Sequence, residues 1–328
     1  MSSWLRPLNL LKIGGLLLLL AIALFGVDFG EALEAIGDAN WAVAAVAFLV
    51  LNLALFIRAF RWKVLATQCG LHYEKPIDYY AVFYAGWFAN WLLPQGIGAA
   101  ARLAMVSDSG RSFGRGLGAI IIERVADGSA AAVLGILTFG YVIQSGQAEL
   151  FGVIMGLACA AVLLLGVAVF AVRRLGPRYG LRERMERSAI GRQLLNVLDE
   201  TFLALGQIGR REIGFVAALS MIATCGMAFA FYLTAVSLDI DAPFLLLVAA
   251  YAVVNLSLFL PISIQGLGPR EGILIVALVG SGESDEAGVA LGILWFVLLT
   301  LSRLPGILGW LRVPGRAENV PSPRLAER

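Results

Sequence analysis

Glu123, Arg124 and Asp127 stand inside a long apolar run, where each charge costs at least about 2.5–3.5 kcal/mol at the centre of a membrane helix. Counted from Gly116 at about 1.5 Å per residue, Glu123 lies roughly 10 Å into the run. Glu123 and Asp127 share a helix face at i, i+4, and Arg124 can pair with Asp127 at i, i+3. The set suits a proton or cation relay, a counter-charge for a cationic head group, or an internal ion pair that fixes helix packing. A second group, Arg270-Glu271, closes the stretch Gln265-Gly266-Leu267-Gly268-Pro269. Glycines there let the backbone approach a ligand closely. A helix starting after them would aim N–H groups and its positive dipole end at an anion. Arg270 would add a bidentate donor shaped for phosphate. Arg102 stands at the matching place after Asn90-Trp91-Leu92-Leu93-Pro94-Gln95-Gly96-Ile97-Gly98. Together the two arginines form a candidate phosphodiester clamp; the alternative is a purely structural hairpin tip. Asn90 and Asn255 read as caps on broken helix ends, and Gln95 and Gln265 sit at the tips. Arg58-Ala59-Phe60-Arg61-Trp62-Lys63 reads as a topology anchor with an interfacial tryptophan. Its two arginines, three apart on one face, could equally collect lipid phosphates at the inner leaflet.

The elements that must position these residues follow from one repetition. The Asn90 to Arg102 pattern returns half a chain later as Asn255, Phe259-Leu260-Pro261, and Gln265 through Glu271. Matching Pro/Gly interruptions of apolar segments in two halves of a membrane protein point to a transport site at the repeat interface. Composition agrees: the 328 residues are 59% hydrophobic and 15% charged, against about half and a quarter in a soluble domain. One histidine, His72, and three cysteines without a spacing pattern (Cys69, Cys159, Cys225) offer no disulfide framework, no metal site and no cofactor.

Apolar runs of spanning length occur at 11–27, 41–57, 116–143, 149–172, 213–236 and 288–311. The broken runs occupy 77–105 and 244–279. No small-residue cleavage site follows 11–27, so it reads as a span and not as a removed leader. Basic loops (Arg58, Arg61, Lys63 and Lys75; Arg111 and Arg115; the arginines of 173–211; Arg312 and Arg316) alternate with acidic ones (Asp28 to Asp38; Glu149; Asp239 and Asp241; Glu283 to Glu286). Placing every basic loop in the cytoplasm requires each broken run to enter and leave on the same side. The expected fold is therefore an all-α polytopic membrane protein with six full spans and two opposed re-entrant hairpins. Its inverted-topology repeat has halves at 41–143 and 213–311 within a single domain at 1–312. A cavity is implied at the hairpins, because non-helical backbone at membrane depth must be buried in protein or wet. The central loop, 173–212, carries Leu181, Met185, Leu194, Leu198, Phe202 and Leu205 at helical spacing among arginines. It is either an amphipathic helix on the inner leaflet or an ordinary positive-inside loop. Phe29 to Trp41 reads as a shorter surface helix, and 313–328 as a disordered cytoplasmic tail. Gly114/Gly118, Gly152/Gly156 and Gly288/Gly292 have the spacing of close helix packing.

Taken in order, the constellation resembles one family. It comprises Arg58-x-x-Arg61-Trp62, then Asn90 to Pro94 with Gly96, Gly98 and Arg102. Glu123-Arg124-x-x-Asp127 follows, and Pro261 through Gly266, Gly268 and Arg270-Glu271 complete it. It is similar to the flippase-like membrane domain at the N-terminus of lysyl-phosphatidylglycerol synthases, which also occurs alone in bacteria and beside glycosyltransferases in archaea. The resemblance covers 10–312 and implies movement of a lipid between leaflets of the bacterial cytoplasmic membrane. It departs from the family at Ala99-Ala100-Ala101, where members usually carry an acid before the arginine; an uncharged or purely anionic head group is the implied preference. No soluble aminoacyl-transfer domain is expected after residue 312. The expected partners are membrane lipids, an anionic phospholipid foremost, with a homodimer and a lipid-synthesis enzyme as further partners and no nucleic acid. Two other functions fit the residues: an ion-coupled carrier of a small polar solute, and a non-transporting membrane partner of envelope lipid or glycan synthesis. An enzyme is not expected, for want of a nucleophile–base pair.

Overall fold

The computed structural model describes residues 29–73, 75–92, 102–103, 105, 110–144, 152, 156, 160, 188–258, 269–312 and 318–319. The fold is all-helical: α1 (Phe29–Gly37), α2 (Trp41–Gln68), α3 (Pro76–Leu92), α4 (Gly110–Gln144), α5 (Ala189–Gln207), α6 (Arg210–Ser237), α7 (Phe244–Ser257), α8 (Pro269–Val279), α9 (Asp285–Leu301) and α10 (Pro305–Arg312). A two-residue antiparallel pairing joins β1 (Leu71–His72) to β2 (Glu318–Asn319), the latter within the tail expected to lack structure.

Three stretches among the described residues are long and apolar enough to cross a membrane: Trp41–Gln68, Arg210–Ser237 and Asp285–Arg312. They coincide with three of the six expected spans. The run 116–143 falls on α4, whose 35 residues reach about 52 Å, more than a bilayer core. The run 11–27 and most of 149–172 lie outside the described residues. On α2, Trp41, Val46, Leu49, Leu53 and Phe56 are exposed, spaced by three to five residues. That is the pattern of a helix side turned to lipid. Helix ends carry ordinary chemistry. The Ser188 hydroxyl accepts from the Gly191 N–H at 2.9 Å to start α5. Ser284 accepts from Ala287 at 3.2 Å to start α9. Prolines open α8 and α10 at a position whose N–H has no helical partner. Gly70, at φ +79, lets the chain turn out of α2 into β1.

The chain forms two compact units. The first comprises 1–55, 128–161 and 222–302; the second comprises 56–127, 162–221 and 303–328. In the first, Phe231, Tyr251 and Trp295 meet ring to ring inside the core, with Phe231 and Trp295 edge-to-face at 5.3 Å. Helix α8 packs against both α7 and α9, and α9 packs against α1. Gly288 admits α8 closely: a Cβ there would stand 2.8 Å from the Ile275 backbone. Gly152 meets only the Phe139 ring, and Gly156 faces open space, so that pair does not bring two described helices together.

In the second unit the core gathers Trp62, Leu65, Leu71, Val82, Phe83, Leu103, Ile120 and Val216. Helix α5 lies against α4 at backbone distance. A Cβ on Gly114 would be 2.5 Å from the Val197 carbonyl, and one on Gly118 would be 3.0 Å from Ala204. The Thr201 hydroxyl donates to the Gly114 carbonyl at 3.0 Å. Arg115 fastens the same seam, its Nε donating to Glu200 at 2.9 Å. The central segment therefore does form a helix, from 189. Thr201 and Ala204 face α4, while Leu194 and Leu203 are exposed. Helix α10 lies on α3, where Trp310 Nε1 donates to the Ala85 carbonyl at 3.0 Å and Arg312 Nε to Asp78 at 2.8 Å.

Candidate functional site

The site is assembled in the second unit from three helical stretches that each contribute one register. Helix α2 supplies Arg58 and Arg61, three apart; α4 supplies Glu123 and Asp127, four apart; α6 supplies Ser220. Two arginines on one face thus meet two carboxylates on another, and the rungs match because both spacings approximate one helical turn. Arg61 is fully buried. Its Nη1 donates to Asp127 Oδ1 and to the Ser220 hydroxyl, and its Nη2 donates to Asp127 Oδ2 at 3.1 Å. The same Nη2 lies 3.6 Å from Glu123 Oε1. The Ser220 hydroxyl donates in turn to the Val216 carbonyl at 2.8 Å, so it both accepts and donates.

Arg102, on helical backbone just after the first break, forks onto Glu123. Nη1 donates to Oε2 at 2.8 Å and Nη2 to Oε1 at 3.3 Å. Its guanidinium stacks 4.7 Å from the Trp62 ring centroid and 5.7 Å from that of Phe83. Both are cation–π contacts. Arg58 stands at the margin: Nη2 is 3.9 Å from Asp127 Oδ1, and its Nε has no acceptor among the described residues. Arg124 lies within electrostatic reach of Glu123, Arg102, Asp127 and Arg58. Among the described residues the result is four guanidinium groups, two buried and two half-buried, around two carboxylates, an excess of two positive charges.

In the first unit, Arg270 and Glu271 open α8 and are both buried. Arg270 Nε donates to Glu271 Oε1 at 3.0 Å, and its Nη2 donates to the same oxygen. Its guanidinium lies 5.4 Å from the Phe296 ring centroid. Gly292 makes room for the carboxylate, since a Cβ there would be 3.2 Å from Glu271 Oε1. A carboxylate in the first helical turn also faces the positive dipole end of α8.

Several expectations change at this level. Arg61 and Trp62, expected at a rim open to lipid phosphates, are both fully buried, because α2 continues to Gln68 and carries them into the core. Asp127 takes its hydrogen bonds from Arg61 on α2, not from Arg124 on its own helix. Arg102 and Arg270, expected as a phosphodiester clamp, are each held by a carboxylate, Glu123 and Glu271. Asn255, expected to cap a broken helix end, lies in the last turn of α7, whose C-cap is Leu258; its Nδ2 donates to the Tyr251 carbonyl at 3.1 Å. Asn90 lies within α3. The breaks themselves, Pro94, Gly96, Gly98, Pro261, Gly266 and Gly268, lie outside the described residues.

Two contributors escaped the sequence reading. Ser220 gave no signal, being one hydroxyl among many. Arg303 did give one, as a charge inside the run 288–311. It is buried in the turn between α9 and α10, 5.2 Å from the Trp87 ring centroid.

Apolar helices of spanning length that bury a cluster of arginines and carboxylates define a polytopic membrane protein. The chain belongs to the family described as the lysylphosphatidylglycerol synthase TM region, whose model matches residues 9–306. No curated protein matches it.

Proposed function

We propose that this chain is a lipid translocase, moving a phosphate-bearing lipid between leaflets while its acyl chains stay in the bilayer. The observation that carries the reading is the cluster of Arg58, Arg61, Arg102, Glu123, Arg124 and Asp127, of which Arg61, Arg102 and Glu123 are buried and the rest half-buried. Intramembrane charges are costly and belong to pathways more often than to packing alone. A guanidinium-rich site is suited to phosphate, and the family is tied to lipid handling by its description. The two broken runs act as re-entrant hairpins of an inverted repeat. Helices α7 and α8, with 14 and 11 residues, reach only about 21 and 16 Å, too short to cross a bilayer core of about 30 Å. They pack against each other across the break, as hairpin arms do.

The segregation of charge supports a single orientation in a bacterial cytoplasmic membrane, with both termini inside. Along the sequence, Arg58, Lys63, Arg115, Arg210, Arg211 and Arg312 gather in alternate connections, and Asp239, Asp241, Glu283 and Asp285 in the intervening ones. The partners are membrane lipids, with a second copy of the chain and a lipid-synthesis enzyme as further candidates, and no chemical reaction is assigned to the chain. A proton-coupled solute carrier is the weaker reading, because both buried carboxylates are engaged by arginines rather than poised to exchange a proton.

The test is a leaflet-resolved assay in proteoliposomes with fluorescent or lysylated anionic lipids. Wild type moves lipid; Glu123→Gln and Arg270→Ala lower the rate at least tenfold while the protein stays folded. A folded wild type that moves no lipid across several head groups refutes the proposal.

A further inference from the structure

The charges of the cluster divide into two kinds. Arg102 is forked onto Glu123, and Arg61 onto Asp127 and Ser220; these two guanidiniums and two carboxylates neutralise one another. Arg58 and Arg124 remain. Among the described residues, half-buried Arg58 has the 3.9 Å approach to Asp127 and an Nε with no acceptor. Arg124, half-buried, makes no hydrogen bond among the described residues and lies within electrostatic reach of Glu123, Arg102, Asp127 and Arg58. An uncompensated charge in a buried place is costly unless an opposite charge joins it.

We propose that Arg58 and Arg124 are the head-group-selecting residues, and that the site takes an amine-free phosphate, a terminal monoester in preference to a diester. A monoester carries about −1.5 to −2 charges at neutral pH and three acceptor oxygens, which balances two guanidiniums; a diester carries one charge and leaves one arginine unbalanced. A lysylated or ethanolamine head group brings a cation into a place that already holds two too many. Arg61 and Arg102 then act as positioning residues, holding the carboxylates away from the ligand. This inference rests on the lipid-translocase reading for its source of phosphate, and the experiment separates the two.

The full chain in nanodiscs is titrated with short-chain phosphatidic acid, phosphatidylglycerol, lysyl-phosphatidylglycerol and inorganic phosphate, following intrinsic tryptophan fluorescence and native mass. The expected order is phosphatidic acid at least tenfold tighter than phosphatidylglycerol, with the lysylated lipid weakest. Arg58→Gln and Arg124→Gln each weaken phosphatidic acid about 10–100-fold and flatten the order. Arg58→Lys, which keeps the charge and loses the fork, retains the order with weaker binding. Lysyl-phosphatidylglycerol bound as tightly as phosphatidic acid by wild type overturns the inference and leaves translocation to the proteoliposome assay. So does an order unchanged in folded Arg58→Gln and Arg124→Gln. Inorganic phosphate bound as tightly as phosphatidic acid upholds the dianion site and instead refutes the lipid as its source.

Discussion

Replacing Glu123 by glutamine removes the negative charge that Arg102 and Arg61 share. Arg102 reaches it through contacts of 2.8 and 3.3 Å, and Arg61 approaches to 3.6 Å. With charge centres about 4 Å apart and an effective dielectric constant near 20, the Arg102 pair alone is worth about 4 kcal/mol of attraction. That attraction is offset in the native protein by the desolvation of both ions. Removing one partner leaves the other's desolvation uncompensated, at a cost of about 3–5 kcal/mol. Glutamine keeps one acceptor, so the expected loss is near the lower end, about 3 kcal/mol, or a Tm lower by about 5–10 °C. Arg102→Gln costs at least as much, since it also strips the guanidinium from the Trp62 face. The double variant removes both charges and should recover about 2–3 kcal/mol relative to the sum of the singles. The assay is a double-mutant cycle by thermal unfolding in nanodiscs. Losses that simply add, or a Glu123→Gln protein as stable as wild type, would refute the claim that these two charges hold one another.

Other outcomes follow from the same geometry. Gly114→Ala drives a Cβ to 2.5 Å from the Val197 carbonyl and must push α5 off α4, costing about 1–3 kcal/mol; Gly156→Ala, facing open space, is the neutral control in the same unfolding assay. Gly309→Ala meets the Ala81 carbonyl at 2.4 Å and should destabilise by more than 1 kcal/mol. Arg312→Ala, at a half-exposed pair with Asp78, should cost under about 1 kcal/mol, so a reversed order of the two Tm shifts contradicts the packing described for α10. Cys69, fully buried, has its thiol pushed by desolvation from 9.0 up to about 12. Its contribution to stability is complete below pH 9 and fades as pH rises from there toward 12, because only the unfolded thiol ionises in that window. At pH 8 it should resist a water-soluble maleimide until the protein is denatured, as read by mass spectrometry.

Residence in a membrane, the helical character and the place of the buried charges were legible in the sequence, because hydropathy over some twenty residues and the cost of a charge in lipid are local properties. The spacing of Glu123 and Asp127 put both carboxylates on one face, and Gly114/Gly118 and Gly288/Gly292 announced close packing, since a missing side chain matters wherever a neighbour must approach. The helical character of 189–207 was written in its apolar spacing; the side it buries was not, because contact with α4 through Thr201 and Ala204 and contact with lipid through larger residues predict similar periodicity. Partner choice was beyond the sequence altogether. Asp127 is held by Arg61, 66 residues away, and Arg61 by Ser220, 159 residues away, while the arginine one turn from Asp127 donates no hydrogen bond to it. Trp62 looked like an interfacial anchor and is instead the floor beneath Arg102. Ion pairs between helices form where packed backbones bring side chains within about 4 Å, and that proximity belongs to the tertiary structure.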